Sequence, residues 1–368
     1  MIERSKIIQL ASRKMSEAGV LITLVHAEGS SYRKPGARLL TFGNEYAGTI
    51  SGGCLEAEVI KKAAWIVRSG AVLEHYSTWF DDTADVPYGL GCGGSVDLLL
   101  EPSETAEFAA LLLALKGSLS DKSVKLVTWL PSERRPMRRA VVSAADEIQF
   151  QSEGLLIEEI EAALEGEIEN VFVEQLDPPP RLIILGAGDD AKPLVAMAAL
   201  LGWHTTVVDG RAQLARAERF PEAQRVLALQ PGRVDEIGIA IEDAVVLMTH
   251  SYEQDREWLA AVLPRALRYF GVLGARHRSS LLVSEVSELT GLSIAECCKR
   301  IYAPVGLDLG GEGPEAIALA VVAEVQACSM GKLPTSRRLS AIDIASQIQH
   351  GNSSRYLQSN CSLELNGQ

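Results

Sequence analysis

The chain has 368 residues, 47% apolar and 23% charged, the balance of an ordinary globular protein with room for two cores. Its formal net charge of −13 excludes general binding to nucleic acid or to anionic membranes, both of which need basic surfaces. The N-terminus, MIERSKIIQL, carries charges where a signal peptide needs an apolar core, and no apolar run approaches the ~20 residues of a membrane span. A cytoplasmic protein is expected, and its six cysteines (Cys54, Cys92, Cys297, Cys298, Cys328 and Cys361) are expected to be thiols. None has the spacing of a zinc site.

A helix over about 3–18 is predicted first, followed by strands at Val20–Ala27 and Arg38–Phe42. The turn in TISGGCLEAEV (Thr49 to Val59) then opens a helix over 54–69. Strands follow near Leu73–Trp79 and Val96–Glu101, a helix near 104–116, and strands near 124–130 and 138–143. SERRPMRRA (Ser132 to Ala140) reads as a solvated hairpin loop between the last two. Many short strands with few crossovers make this an α+β domain over 1–176. Pro178 to Pro180 form a stiff connector, so 177–180 reads as a linker.

From 181 to 330 the pattern becomes strict alternation. Strands are predicted at Leu182–Gly186, Thr205–Asp209, Arg225–Leu229, Ala244–Thr249 and Tyr269–Gly274, with helical stretches between them. They are continuous apolar runs, as a parallel sheet covered on both faces requires, so this is an α/β Rossmann-like, doubly wound domain. Helices are predicted near 278–290 and 293–300, and a last one starts at Pro314, a favoured first helical residue. Residues 331–368 are polar and are expected to form a flexible tail.

RLIILGAGDDAKPLVAMAALLGWHTTVVDG is a strand, a G-x-G-x-x-A turn, a helix and a second strand ending in an acid. Gly186 permits the tight turn, Gly188 lets a phosphate approach the backbone, and Asp209 stands where a ribose-binding carboxylate usually sits. Asp189 and Asp190 begin the helix and are expected to cap it, which weakens the case for tight NAD(P) binding. Ligands of such sheets lie at the carboxyl ends of the strands, which brings together Gly186–Asp190, His250, Arg276 and Arg211. His250 is a candidate acid, base or phosphate contact and equally a hydrogen-bonded structural histidine; Arg211 binds phosphate or pairs with Asp209.

Two further features lie in the first domain. EGSSYRKPGAR sets Arg33, Lys34 and Arg38 beside a glycine–serine turn, a candidate anion site or a solvated basic turn. Cys54 and Cys92 sit in the glycine-rich turns SGGC and GCGG, where Gly52 and Gly53 allow backbone N–H groups to converge on a sulfur. A helix N-terminus favours thiolate at Cys54, while the alternative is two small residues packed in tight turns.

The ordered set of GTISGGCLEAEV, GLGCGGSVDLLLEP, LGAGDDAKPLVAMAALLGW, LMTHSYEQD, GVLGARHR and APVGLDLGGEGPEAIALAVVAEVQA resembles the xanthine dehydrogenase accessory factor family, XdhC and CoxI. The resemblance implies a maturation chaperone that binds the molybdenum cofactor (molybdopterin) and delivers its sulfurated form to a molybdenum hydroxylase client. It further implies a sulfur-donating cysteine desulfurase and a homodimer. In this light Cys54 is the candidate sulfur or molybdenum contact and Cys92 a supporting one. The competing expectation is an NAD(P)-dependent oxidoreductase using His250. The chain lacks the C-x₂-C iron–sulfur pattern and the length of the dehydrogenase itself.

Overall fold

The computed structural model describes residues 2–29, 31–53, 55–77, 94–120 and 122–332. Cys54, Cys92, Cys361 and the expected tail beyond residue 332 lie outside the described residues. Among the described residues no helix is long and apolar enough to cross a membrane.

The N-terminal part runs α1 (Ile2–Arg13), β1 (Val20–Gly29), β2 (Arg38–Phe42), β3 (Glu45–Gly48), α2 (Glu56–Ile66), β4 (Val72–Ser77), β5 (Gly94–Pro102) and α3 (Ala106–Gly117). It continues with β6 (Val124–Trp129), β7 (Arg138–Ser143), β8 (Ile148–Gln151), α4 (Ile157–Glu165) and β9 (Val171–Leu176). These strands form two antiparallel sheets, ordered β3-β2-β1-β5-β4 and β8-β7-β6-β9. One core joins them: Ile7 of α1 and Leu111 of α3 pack with Leu21 and Leu40 of the first sheet and Leu126 and Val141 of the second. On its other face the first sheet carries α2, with Val59 and Ala63 packed on Ile22, Leu39 and Leu98. Alternate residues of β1 and β2 thus serve two cores at once, which is why β2 and the first six residues of β1 are buried on both faces.

Two ion pairs also join the sheets. Arg139 of β7 donates to both oxygens of Glu101 of β5, at 2.9 and 2.6 Å, with neither side chain more than 1% exposed. Arg38 of β2 pairs with Glu174 of β9. The basic loop is therefore only partly solvated. It does join β6 to β7 as a hairpin, but Arg139 turns inward because a carboxylate waits on the opposite sheet.

The second part runs β10 (Arg181–Leu185), α5 (Ala191–Leu200), β11 (His204–Val208), β12 (Arg225–Leu227), β13 (Ala244–Leu247) and α6 (Tyr252–Val262). It ends with β14 (Tyr269–Val272), α7 (Arg276–Thr290), α8 (Ile294–Arg300) and α9 (Pro314–Ser329). All five strands are parallel, in the order β12-β11-β10-β13-β14. Leu182 and Ile184 pack beneath α5 and α9, and Ile183 and Leu185 beneath α6 and α7, so both faces of β10 are covered. The strand order reverses between β10 and β13, the usual place for a ligand.

One expectation is corrected. No α-helix links β11 to β12 or β12 to β13; the links hold single stretches of 3₁₀ helix at Ala217–Arg219 and Pro231–Ile237. Arg219 instead ties its segment to the glycine turn by donating to the carbonyl of Ala187 at 2.7 Å.

Candidate functional site

Gly186 ends β10 with φ 129°, and a Cβ there would lie 2.4 Å from the carbonyl oxygen of Met248. Only glycine fits this crossing of β10 and β13. Gly188 plays a different part: a Cβ there would meet Asp190 Oδ1 at 2.4 Å, so any larger residue would have to move that carboxylate. That oxygen belongs to a pair in which Asp190 Oδ2 lies 2.6 Å from Nε2 of His250. His250 follows β13 in a left-handed backbone conformation, φ 62°, and its ring is exposed.

The expected capping role of the two aspartates is corrected. Asp190 has helical backbone angles and makes no side-chain cap, because its carboxylate turns to His250. Asp189 pairs with Lys192 at 2.7 Å and Arg219 at 2.9 Å, and those cations hold its carboxyl below the usual range. Among the described residues, the N–H groups of Gly188, Asp189 and Asp190 therefore have no protein acceptor. They form an open donor cluster at the start of α5.

Asp209 is engaged elsewhere. Its Oδ2 accepts the N–H of Ala187 at 2.8 Å, and its Oδ1 accepts the N–H and Nε–H of Arg211, both at 2.9 Å. Burial opposes its ionisation, but the Arg211 guanidinium and the two N–H groups outweigh it and hold the carboxyl below its ordinary value. Asp209 thus staples the turn to β11, and both of its oxygens are engaged by Arg211 and the turn rather than left open.

Behind His250 lies a buried support that the sequence did not announce. Asp255 accepts the N–H and hydroxyl of Thr249, at 3.2 and 2.6 Å, and pairs with Arg278 at 2.6 Å. Arg278 in turn covers the ring of Tyr252. Its signal was an acid six residues beyond the strand-end threonine, in the first turn of α6. Arg276 opens α7 at the same end of the sheet, exposed and, among the described residues, without an ion-pair partner.

The donors of the SGG turn converge on a carboxylate, Glu56. Glu56 Oε1 accepts the N–H groups of Ile50, Ser51 and Gly52 at 3.0, 2.9 and 3.2 Å and the Thr49 hydroxyl at 2.5 Å. Its Oε2 accepts the Ser51 hydroxyl and the N–H of Gly53, at 2.5 and 2.9 Å. Burial alone would raise the Glu56 pKa, yet the Ser51 and Thr49 hydroxyls and the backbone donors bring it to about 2. The helix begins at Glu56 itself. Gly52 and Gly53, expected as cofactor contacts, thus direct their N–H groups at this carboxylate.

In EGSSYRKPGAR, between β1 and β2, Arg33 pairs with Glu3, and Arg38 is buried against Glu174 instead of facing a ligand. Lys34 is exposed. Cys297 is buried in the second core, and burial pushes its thiol up. Among the described residues no group of three or more His, Cys, Asp or Glu could hold a metal ion.

Residues 182–325 match the XdhC Rossmann domain, and residues 12–77 match the XdhC and CoxI family. A protein of Bacillus subtilis (strain 168) named as a probable subunit of xanthine dehydrogenase is 30% identical over 315 residues, spanning 84% of this chain and 92% of that protein. The "Molybdenum cofactor insertion chaperone PaoD" of Escherichia coli (strain K12) is 27% identical over 320 residues, 84% of this chain and 83% of the other. A crystal structure described as a xanthine dehydrogenase from Bacillus halodurans superposes with a TM-score of 0.76 at 29% identity, over 92% of this chain and 99% of that one. With both domains matched in order and the glycine turn in its expected frame, the chain belongs to the XdhC and CoxI family.

Proposed function

We propose that this protein is a maturation factor that binds the molybdenum cofactor and delivers its sulfurated form to a molybdenum hydroxylase such as xanthine dehydrogenase. The observation that carries the reading is the likeness to a cofactor insertion chaperone over both domains. The geometry supports it. Three open N–H groups at the start of α5, with His250 beside them and Arg276 at the same end of the sheet, suit the single phosphate of a pterin. A dinucleotide fits less well, because a ribose would have to displace Arg211 from Asp209. The oxidoreductase reading is therefore the weaker one.

The cofactor is cargo, so the chain's own task is to hold, shield and release it. In this reading Cys54 supplies the soft contact to sulfur or molybdenum, Cys92 assists, a cysteine desulfurase provides the sulfur, and the protein works as a homodimer.

Gly188→Val is expected to weaken cofactor binding at the Rossmann turn at least tenfold, about 1.4 kcal/mol. The branched side chain displaces Asp190 and covers the donor cluster. Equilibrium titration with purified molybdopterin, alongside molybdenum and pterin assays of the protein from cofactor-producing cells, checks this; unchanged affinity in a folded variant would remove the phosphate from this turn.

Cys54→Ser is expected to leave binding intact while client activation falls by an order of magnitude or more. Reconstitution of client activity by loaded variant protein is the measurement, and full activation would eliminate the thiolate role.

A further inference from the structure

The loop between β1 and β2 stands between two cavities of about 550 and 570 Å³, each of a size that holds small ligands. Glu3, Tyr32 and Arg33 line both, so the two form one groove with the loop as its divider. Its ends differ in chemistry.

One end is aromatic. Tyr32 and Tyr46 both face it and are 76% and 55% exposed, which leaves the rings open to a partner. Tyr32 lies so close over Gly52 that a Cβ there would come within 2.8 Å of the ring, and this contact fixes where the ring stands. Of the two carboxylates in this half, Glu56 is enclosed by its own donors and Glu3 is paired with Arg33, so neither presents a free charge.

The other end is cationic. Of its arginines, Arg33 is neutralised by Glu3 and Arg38 by Glu174, which engages both carboxylates of this half. Arg4 and Lys34 are left over. Half-buried Arg4 donates only to neutral acceptors, the Ser118 hydroxyl at 3.2 Å and the Asp177 carbonyl at 2.9 Å. Lys34 has no ion-pair partner among the described residues. Among these residues Arg4 thus has no carboxylate in direct contact, and the charges of Glu174 and Asp177 act on it only from a distance; a partly desolvated cation so placed favours a bound anion. Burial, the largest influence on Arg4, lowers its pKa together with the Arg38 charge, and Glu174 and Asp177 offset this only in part.

We propose that this groove binds a phosphorylated planar heterocycle, its ring against Tyr32 and Tyr46 and its phosphate between Arg4 and Lys34. Pterin monophosphates and nucleoside monophosphates share that chemistry. The site belongs to the N-terminal domain and is independent of the Rossmann turn.

The experiment titrates the full chain carrying Gly188→Val, which silences the Rossmann turn, with molybdopterin and with GMP, using tyrosine fluorescence and calorimetry. One binding site per chain is expected for at least one probe, and the probe that binds identifies the source. Tyr32→Ala/Tyr46→Ala should then weaken binding at least tenfold through lost stacking. Arg4→Gln should weaken it about tenfold, and Lys34→Gln, a change at an exposed side chain, about threefold. Guanosine or dephosphorylated pterin should bind wild-type and Lys34→Gln protein alike. Absence of binding by either probe, or binding indifferent to the tyrosine pair, overturns the proposal. Loss of molybdopterin binding by the unsubstituted chain, with GMP retained here, would instead overturn the cofactor function and leave the groove standing.

Discussion

Glu101→Ala is expected to lower the free energy of unfolding by about 3–5 kcal/mol, the largest single effect foreseen for this protein. Glu101 and Arg139 are held together by two hydrogen bonds across the two sheets of the N-terminal domain, with 0% and 1% of their side chains exposed. Truncating the acid leaves a buried guanidinium with only the Thr128 hydroxyl, at 3.2 Å, and the Glu107 carbonyl, at 2.9 Å, as neutral acceptors. The cost is that of an unpaired buried charge, so replacing both partners with apolar residues (Glu101→Leu with Arg139→Met) should recover most of it. Urea denaturation of the three proteins makes the comparison. A loss below about 1 kcal/mol for Glu101→Ala would show that the pair does not hold the sheets.

Glu56→Gln is expected to cost about 2–3 kcal/mol, because an amide nitrogen would replace one of two oxygens, both of which face donors. The carboxylate also predicts a pH dependence. Its pKa falls from 4.5 to about 2 on folding, so the folded state favours the ionised form. That stability is fully present above about pH 4.5 and is lost as the pH falls toward 2. A shift of this size corresponds to about 3 kcal/mol. The stability difference between wild-type and Glu56→Gln protein should therefore be flat from neutrality to about pH 5 and shrink below it. A difference that persists unchanged to pH 3 would assign the stabilisation to the shape of the side chain.

The Rossmann half was legible because its signals are local. Continuous apolar runs gave β10, β11 and β13, and Pro314 gave the start of α9. The strands β3, β8 and β9 and helix α4 escaped notice because they are short and bordered by charges, as in GEIEN. The two-sheet architecture was not legible, since its pairings are set by residues far apart: Arg38 meets Glu174 across 136 positions. For the same reason Arg38 read as a phosphate contact when its carboxylate lay in another sheet. Glu56 did leave a trace. It follows Gly53 by three positions, the spacing at which a glutamate reaches back to the N–H ahead of a helix. Asp190 read as a cap because helix starts favour acids, whereas its partner His250 is 60 residues away.

The pairs Arg38–Glu174 and Arg139–Glu101 reach from the first N-terminal sheet to the second at separate places. Neither sheet can open without uncovering a charge on the other, so amide protons of β1 and β6 should exchange with solvent at one common free energy rather than two. The floor of the tyrosine-lined groove, built on the first sheet, then moves only when the whole domain does. A ligand settling there would meet a surface already fixed, and little ordering entropy would be lost on its arrival.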